Sequence, residues 1–199
     1  MYMDTSFFFF GALNLKNLNY ESIPVNLLKA EQRAEDYMKT NPSGLVPAFS
    51  DEKSNISLTQ SLAIIEYLDE NYGDKHQFLP ENSYERAIVR SMAYTIACDT
   101  QPVQNLRVLK YLKKEIGQND QVKVQWIQNF ITEGFSGLEP LLEKYSGDYS
   151  YGNKVSLVDI CLIPQIYNAR RFYTDLSRFP NILKVEENLS KLESFENAK

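Results

Sequence analysis

The chain has 199 residues, 43% of them hydrophobic and 24% charged, an ordinary balance for one compact unit or two small ones with a core. Its 26 acidic residues against 21 Lys plus Arg, spread without a block of like charge, argue against nucleic acid or an anionic membrane surface as the main partner. Two distant cysteines, Cys98 and Cys161, and a single histidine, His76, offer neither a disulfide framework nor a metal cluster. Both cysteines read as small buried apolar residues of a reducing, cytosolic setting.

The chain opens MYMDTSFFFFGALNLKNLNYE. This is no secretory signal, because Asp4 stands where Lys or Arg belongs and Asn14 and Lys16 interrupt the apolar stretch. It is also too short to span a bilayer. Residues 19–28 carry β-branched and apolar side chains around Pro24 and predict a short edge strand. A helix follows over 30–40, then turn, strand, hairpin loop and strand over 41–61, with DEKSN as the loop. A further helix over 61–73 is opened by Ser61 and closed by Gly73.

Residues 75–84, containing Pro80 and no periodicity, read as a linker between a domain over 1–74 and a helical one over 85–199. One or two helices span 83–116, with Pro102 bending or breaking the run. Trp126, Ile127, Phe130, Ile131, Gly134, Phe135, Leu138, Leu141 and Leu142 keep helical spacing and form one buried stripe. Ser156 and Asp159 are spaced as a capping box for the next helix. Pro180 opens the last one, with Ile182, Val185, Leu189 and Leu192 on its inner face.

Two short motifs carry chemistry. In NPSGLVPAF, Val46 precedes Pro47 at the start of a strand; a cis bond there turns the backbone of Val46 outward, where a peptide-like ligand can pair with it. The alternative is a plain trans proline at a strand edge. In TQSLAIIEYL, Gln60 and Ser61 stand at a helix N-terminus, whose amides and partial positive charge stabilise a carboxylate. The alternative is that Ser61 only caps its own helix.

Taken together these motifs resemble the thioredoxin-like N-terminal domain of cytosolic glutathione transferases, which is followed by an all-helical C-terminal domain. NPSGLVPAF, TQSLAIIEYLDE, QPVQNLRVLK, WIQNFITEGFSGLE and SLVDICLIPQIYNARRF narrow the resemblance to the zeta class, the maleylacetoacetate isomerases. The resemblance runs from about Ala12 to near the C-terminus. It implies an α+β fold of that architecture, glutathione as cofactor, no metal, a small dicarboxylate substrate, a homodimer and a cytoplasmic location. It places glutathione contacts at Val46, Gln60, Ser61, Gln32, Gln101, Asn105 and Leu106. Gln101 and Asn105, four apart, would share one helix face. Arg171 matches an arginine that holds a substrate carboxylate, with Arg171 or Arg170 as a solvated surface charge the competing reading. Where the family has a Ser after Asn-Leu, this chain has Arg107.

Zeta members open with a strand, a Ser-Ser-Cys type motif and a helix. Here Met3, Asp4 and Thr5 fall on the motif and Phe8 to Phe10 within the helix, so the first strand of the sheet is missing; the competing reading makes SFFFF a substitute strand. Asp4 takes the place of a serine that would favour the glutathione thiolate. Two negative charges ~5 Å apart at an effective dielectric of ~20 repel by ~3 kcal/mol. Thr5 and Ser6 remain as candidate catalytic hydroxyls. The resemblance thus implies a glutathione-dependent cis–trans isomerase with transferase side activity. Asp4 and the missing strand motivate an alternative, a catalytically impaired binding module, and a third reading in which a longer form begins upstream.

Overall fold

The computed structural model describes residues 6–51, 54–73 and 76–196. The chain divides between Gln77 and Phe78 into two compact units. Met3, Asp4, Thr5 and the hairpin-loop residues Glu52 and Lys53 lie outside the described residues, as do Asp74 and Lys75 near the expected linker.

The first unit contains α1 (Ser6–Leu15), a 3-10 turn (Glu31–Arg33), α2 (Glu35–Thr40), strands β1 (Ala48–Asp51) and β2 (Ile56–Thr59), and α3 (Ser61–Asn71). The phenylalanine run is helical. Phe8, Phe9, Ala12 and Leu13 are buried, at the one-and-four spacing that aligns side chains on a single helical face. Phe9 meets Phe49 of β1 edge-on at 5.8 Å, and Phe10 stacks on Tyr20 at 5.5 Å. A strand would have sent alternate phenylalanines to opposite faces. Asn17 ends α1 in the left-handed conformation at φ 53°. The Leu18 amide donates to the Leu13 carbonyl at 3.1 Å and the Asn17 amide to that of Asn14 at 3.0 Å, the bonds of a Schellman stop.

Lys16, read from sequence as a polar interruption, is 0% exposed. Its Nζ donates to Asp69 Oδ1 at 3.0 Å, the Tyr72 carbonyl at 3.1 Å and the His76 carbonyl at 2.5 Å. A cation is thereby held where the C-terminal carbonyls of α3 concentrate negative charge.

Two expectations for this unit fail. Residues 19–28 form no strand: Ile23 is 80% exposed, and the Asn26 side chain accepts from the Leu28 and Lys29 amides at 3.0 and 3.2 Å, so a local Asx turn satisfies backbone groups that a sheet would have used. The helix expected over 30–40 is interrupted at Ala34, extended at φ −64°, ψ 147°, which separates the 3-10 turn from α2. Among the described residues no strand precedes β1, and the sheet is a two-stranded antiparallel hairpin with Ala48 opposite Thr59 and Asp51 opposite Ile56.

The second unit is helical: α4 (Ser83–Tyr94), a π-helical stretch (Thr95–Thr100), a 3-10 turn (Pro102–Gln104), α5 (Leu106–Lys114), α6 (Asp120–Tyr145), α7 (Leu157–Arg171), α8 (Pro180–Leu189) and α9 (Glu193–Glu196). The run over 83–116 does break at Pro102. The α6 stripe is buried through Ile127, Ile131, Phe135, Leu138 and Leu142. Against it and α4, α7 is buried nearly all round.

Two carboxylates of this unit are held by hydrogen bonds from neighbouring segments. Asp159 accepts from the Ser156 amide at 2.7 Å, the Ser156 hydroxyl at 2.8 Å and the Ser150 amide at 2.8 Å. Burial pushes its carboxyl above the ordinary range, and the hydrogen bonds from Ser150 and Ser156 pull the other way. Glu139 of α6 caps α8, accepting from the Asn181 and Ile182 amides at 2.7 and 3.1 Å. The helix opened by Pro180 stops at Leu189, leaving Leu192 beyond it.

Cys161 is buried, but Cys98 is exposed, against expectation. The wider π turn buries Ile96 and Thr100 and carries Cys98 outward. Among the described residues no helix is long and apolar enough to cross a membrane.

Removing one partner of the buried ion pair leaves the other uncompensated. Lys16→Met is expected to lower stability by about 3–5 kcal/mol in urea unfolding, with much of the loss recovered in Lys16→Met/Asp69→Leu.

Candidate functional site

In the first unit the site is built by the hairpin. Tyr37 Oη and Asn41 Nδ2 both donate to the Leu45 carbonyl at 2.6 Å, while Asn41 Oδ1 accepts from the Ser43 amide and hydroxyl at 3.1 and 2.6 Å. Gly44 completes this turn at φ 59°, with a Cβ there landing 2.7 Å from the Arg33 guanidinium and 2.9 Å from Met38 Sδ. The chain then passes through a cis Val46–Pro47 bond, as expected, into β1.

Cross-strand partners in the hairpin run from 48 with 59 to 51 with 56. The ladder ends at Ala48 with Thr59, so the Val46–Pro47 turn before β1 and the start of α3 after β2 both adjoin that end of the hairpin along the chain.

There Gln60 is the N-cap of α3, at φ 73°, and makes no side-chain capping bond; Ser61 is the first helical residue and 8% exposed. The plain capping role for Ser61 is therefore not the one observed. Gln32 lies on the 3-10 turn, and its Oε1 is buried without a hydrogen-bond partner among the described residues. The Gln32 oxygen is an acceptor open to a donor, and separately the uncapped start of α3 offers amide donors to an anion. Ser6 opens α1, and Thr5 and Asp4 lie outside the described residues.

In the second unit Gln101, Asn105, Leu106 and Arg171 occupy two segments. Gln101 and Asn105 do not share an α-helical face: the 3-10 turn over Pro102–Gln104 separates them, and Asn105, extended at ψ 146°, caps α5 by accepting from the Arg107 amide at 3.4 Å. Leu106 is the first residue of α5. Of the two adjacent arginines, Arg170 is the structural one, with bonds of 2.8 and 2.5 Å to the two carboxylate oxygens of Glu186. Arg171, half-buried at the end of α7, packs over the Phe172 ring.

Sequence reasoning passed over Gln104, which lies between the two residues it singled out. Gln104 Nε2 donates to the Thr100 carbonyl at 2.9 Å, while its Oε1 accepts from Gln165 Nε2 at 3.3 Å and Asn168 Nδ2 at 2.7 Å. Its only sequence signal was position, a third polar residue in QPVQN.

The glutathione S-transferase N-terminal domain family matches residues 3–70 and the glutathione S-transferase C-terminal domain family matches residues 103–197. A probable maleylacetoacetate isomerase of Vibrio cholerae is 44% identical over 94% of this chain and 86% of its own. A holo maleyl pyruvate isomerase, described as a bacterial zeta-class glutathione S-transferase, superposes with a TM-score of 0.92 at 38% identity, covering 98% of this chain and 91% of its own. A maleylacetoacetate isomerase from Methylobacterium extorquens AM1, solved with bound malonate and glutathione, gives 0.90 at 32% identity over 98% and 91%.

Gly134 of α6 faces the π-helical stretch so closely that an added Cβ would fall inside the Thr100 hydroxyl. Gly134→Ala is expected to cost about 1–3 kcal/mol by overpacking, read as a lowered urea midpoint with an unchanged slope.

Proposed function

Because the chain belongs to the zeta-class glutathione S-transferase family, the family of the maleylacetoacetate isomerases, we propose that it is a glutathione-dependent isomerase converting maleylacetoacetate to fumarylacetoacetate in tyrosine and phenylalanine breakdown, with transferase side activity. The observation that supports this reading is the N-terminus of α3, which follows β2 directly and has no side-chain cap. The relatives' names supply the reaction and lend no support to a catalytically silent binding module.

Bound glutathione would supply a thiolate nucleophile for reversible addition to the double bond of the cis substrate, the chemistry that permits cis–trans rotation. Everything else falls to the chain. The thioredoxin-like domain over 1–74 holds glutathione: Val46 pairs with its cysteinyl backbone, Gln60 and Ser61 hold its glutamyl end at the positive pole of α3, and Gln32 offers its orphaned oxygen to a donor. In the helical domain the family resemblance assigns glutathione contacts to Gln101, Asn105 and Leu106. Arg171 takes a substrate carboxylate through its planar fork of donors. Fixing both reactants in one orientation lowers the entropic barrier to addition.

Thr5 or Ser6 supplies the hydroxyl that favours the thiolate, whose parent thiol otherwise ionises near pH ~8.5. Asp4 works against it by like charge. Family practice makes the enzyme a cytoplasmic homodimer.

The test is cis-to-trans isomerisation with and without glutathione. A rate that depends on glutathione and falls about 10- to 100-fold in Ser61→Ala is expected; equal rates with and without glutathione would sink the reading. Asp4→Ser is expected to raise both the rate and the ultraviolet thiolate absorbance of the bound tripeptide, and an unchanged absorbance would refute the charge argument.

A further inference from the structure

The buried amides around Gln104 belong to none of the roles assigned above. Gln104 and Gln165 are buried, and every polar atom of the Gln104 amide has a partner. Its N–H group reaches the Thr100 carbonyl and its oxygen receives Gln165 and Asn168 from α7. The placement of these three residues is specific. Gln104 lies three residues after Gln101 and immediately before Asn105, while Asn168 lies three residues, one helical turn, before Arg171. The 2.7 Å bond from Asn168 Nδ2 to Gln104 Oε1 is therefore a direct strut between the segment that bears Gln101 and Asn105 and the turn of α7 that bears Arg171.

The segment bearing Gln104 packs against α4, α6 and α7. It is a π-helical stretch followed by one 3-10 turn, geometries with poorer backbone hydrogen bonding than an α-helix. Two of its contacts are specific: the Trp126 indole donates to the Val103 carbonyl at 2.9 Å, and Gly134 admits Thr100 against α6. Both tie it to α6. The Gln104 amide carries hydrogen bonds from this segment to α7.

We propose that Gln104, bonded to Asn168, is a positioning residue of the proposed isomerase: it fixes the spacing within the helical domain between the glutathione-side residues Gln101 and Asn105 and the carboxylate-holding Arg171. The proposal rests on the functional reading above. An amide suits the task because it donates to one segment and accepts from the other at once, which neither a carboxylate nor an ammonium does. A satisfied network of neutral groups in a low-dielectric interior is also rigid. A spacing error of an ångström between two bound groups is enough to lose a large factor in rate or affinity.

Three variants separate positioning from mere support of the fold. Asn168→Ala removes the strut but leaves Gln104 its bonds to Thr100 and Gln165, so the domain stays folded; Gln104→Met removes all three bonds at nearly constant volume. Val185→Ala, in the core of α8, destabilises the same domain without touching the network. Each is assayed at a temperature where circular dichroism reports a folded chain. Asn168→Ala is expected to raise the KM for the cis dicarboxylate and the Kd for malonate in the presence of glutathione by about tenfold each, and Gln104→Met by more, with Val185→Ala within twofold of the parent chain. If Asn168→Ala and Val185→Ala are alike, the strut is structural and the positioning role is overturned while the functional reading stands. If the parent chain shows no glutathione-dependent isomerisation, the functional reading falls first and takes the positioning role with it.

Discussion

A two-stranded hairpin is too small to be stable in water without something packed against it, and in this chain the backing is held in place by one buried ammonium. Lys16 closes α1 and reaches Asp69 together with two carbonyls just beyond the end of α3. With that end of α1 fixed, Phe8 and Phe9 are seated inward, and Phe9 bears on Phe49 of β1. Phe49 in turn approaches Tyr67 of α3, which completes a closed circuit of helix, strand and helix. The hairpin, with Ala48 opposite Thr59 at the end next to α3, is braced by this circuit. Desolvating an ammonium is costly, and the cost is met because three oxygens surround it, one of them ionised.

The helical domain follows the same rule with weaker charges. Asp159, Glu139 and the Gln104 amide each take two or three hydrogen bonds from backbone or side-chain groups of other segments. Each joins elements that apolar packing alone would leave free to slide: Asp159 ties the 146–155 loop to α7, Glu139 ties α6 to α8, and Gln104 ties the 3-10 turn to α7. Apolar contacts are nondirectional, so they hold the helices together without choosing a register along their axes. Directional bonds of this kind are what a site needs if its residues come from separate helices.

Much of this could be read from the residues. The Phe8–Phe10 helix, the hairpin with its glycine turn, the α6 stripe, the Ser156–Asp159 box and the break at Pro102 all carry local signals that tertiary structure leaves intact. The failures have identifiable causes. A strand over 19–28 needs a neighbour to pair with, which local propensity does not encode, and Asn26 offered the backbone an alternative. Cys98 was misplaced because a π turn changes the phase of burial by less than one residue, and no residue type marks it. Lys16 looked like an interruption because a single charge among apolar residues says nothing about what lies opposite. The site residues of the first domain came from motif and position together. Gln104 was invisible because a glutamine carries the same letter whether it faces solvent or bridges two helices.

The choice of neutral amides next to the arginine also bears on chemistry. A guanidinium meant to receive a substrate carboxylate loses affinity to any carboxylate of the protein that lies within its reach, since the two compete for the same fork of donors. In α7 the guanidinium of Arg170 is engaged by both carboxylate oxygens of Glu186. One turn earlier, where α7 must be joined to the 3-10 turn, Gln165, Asn168 and Gln104 do so without net charge. An ion pair in their place would bond as firmly, yet it would set a carboxylate one helical turn from Arg171. A neutral strut joins the two segments through directional bonds without adding a charge to that end of α7.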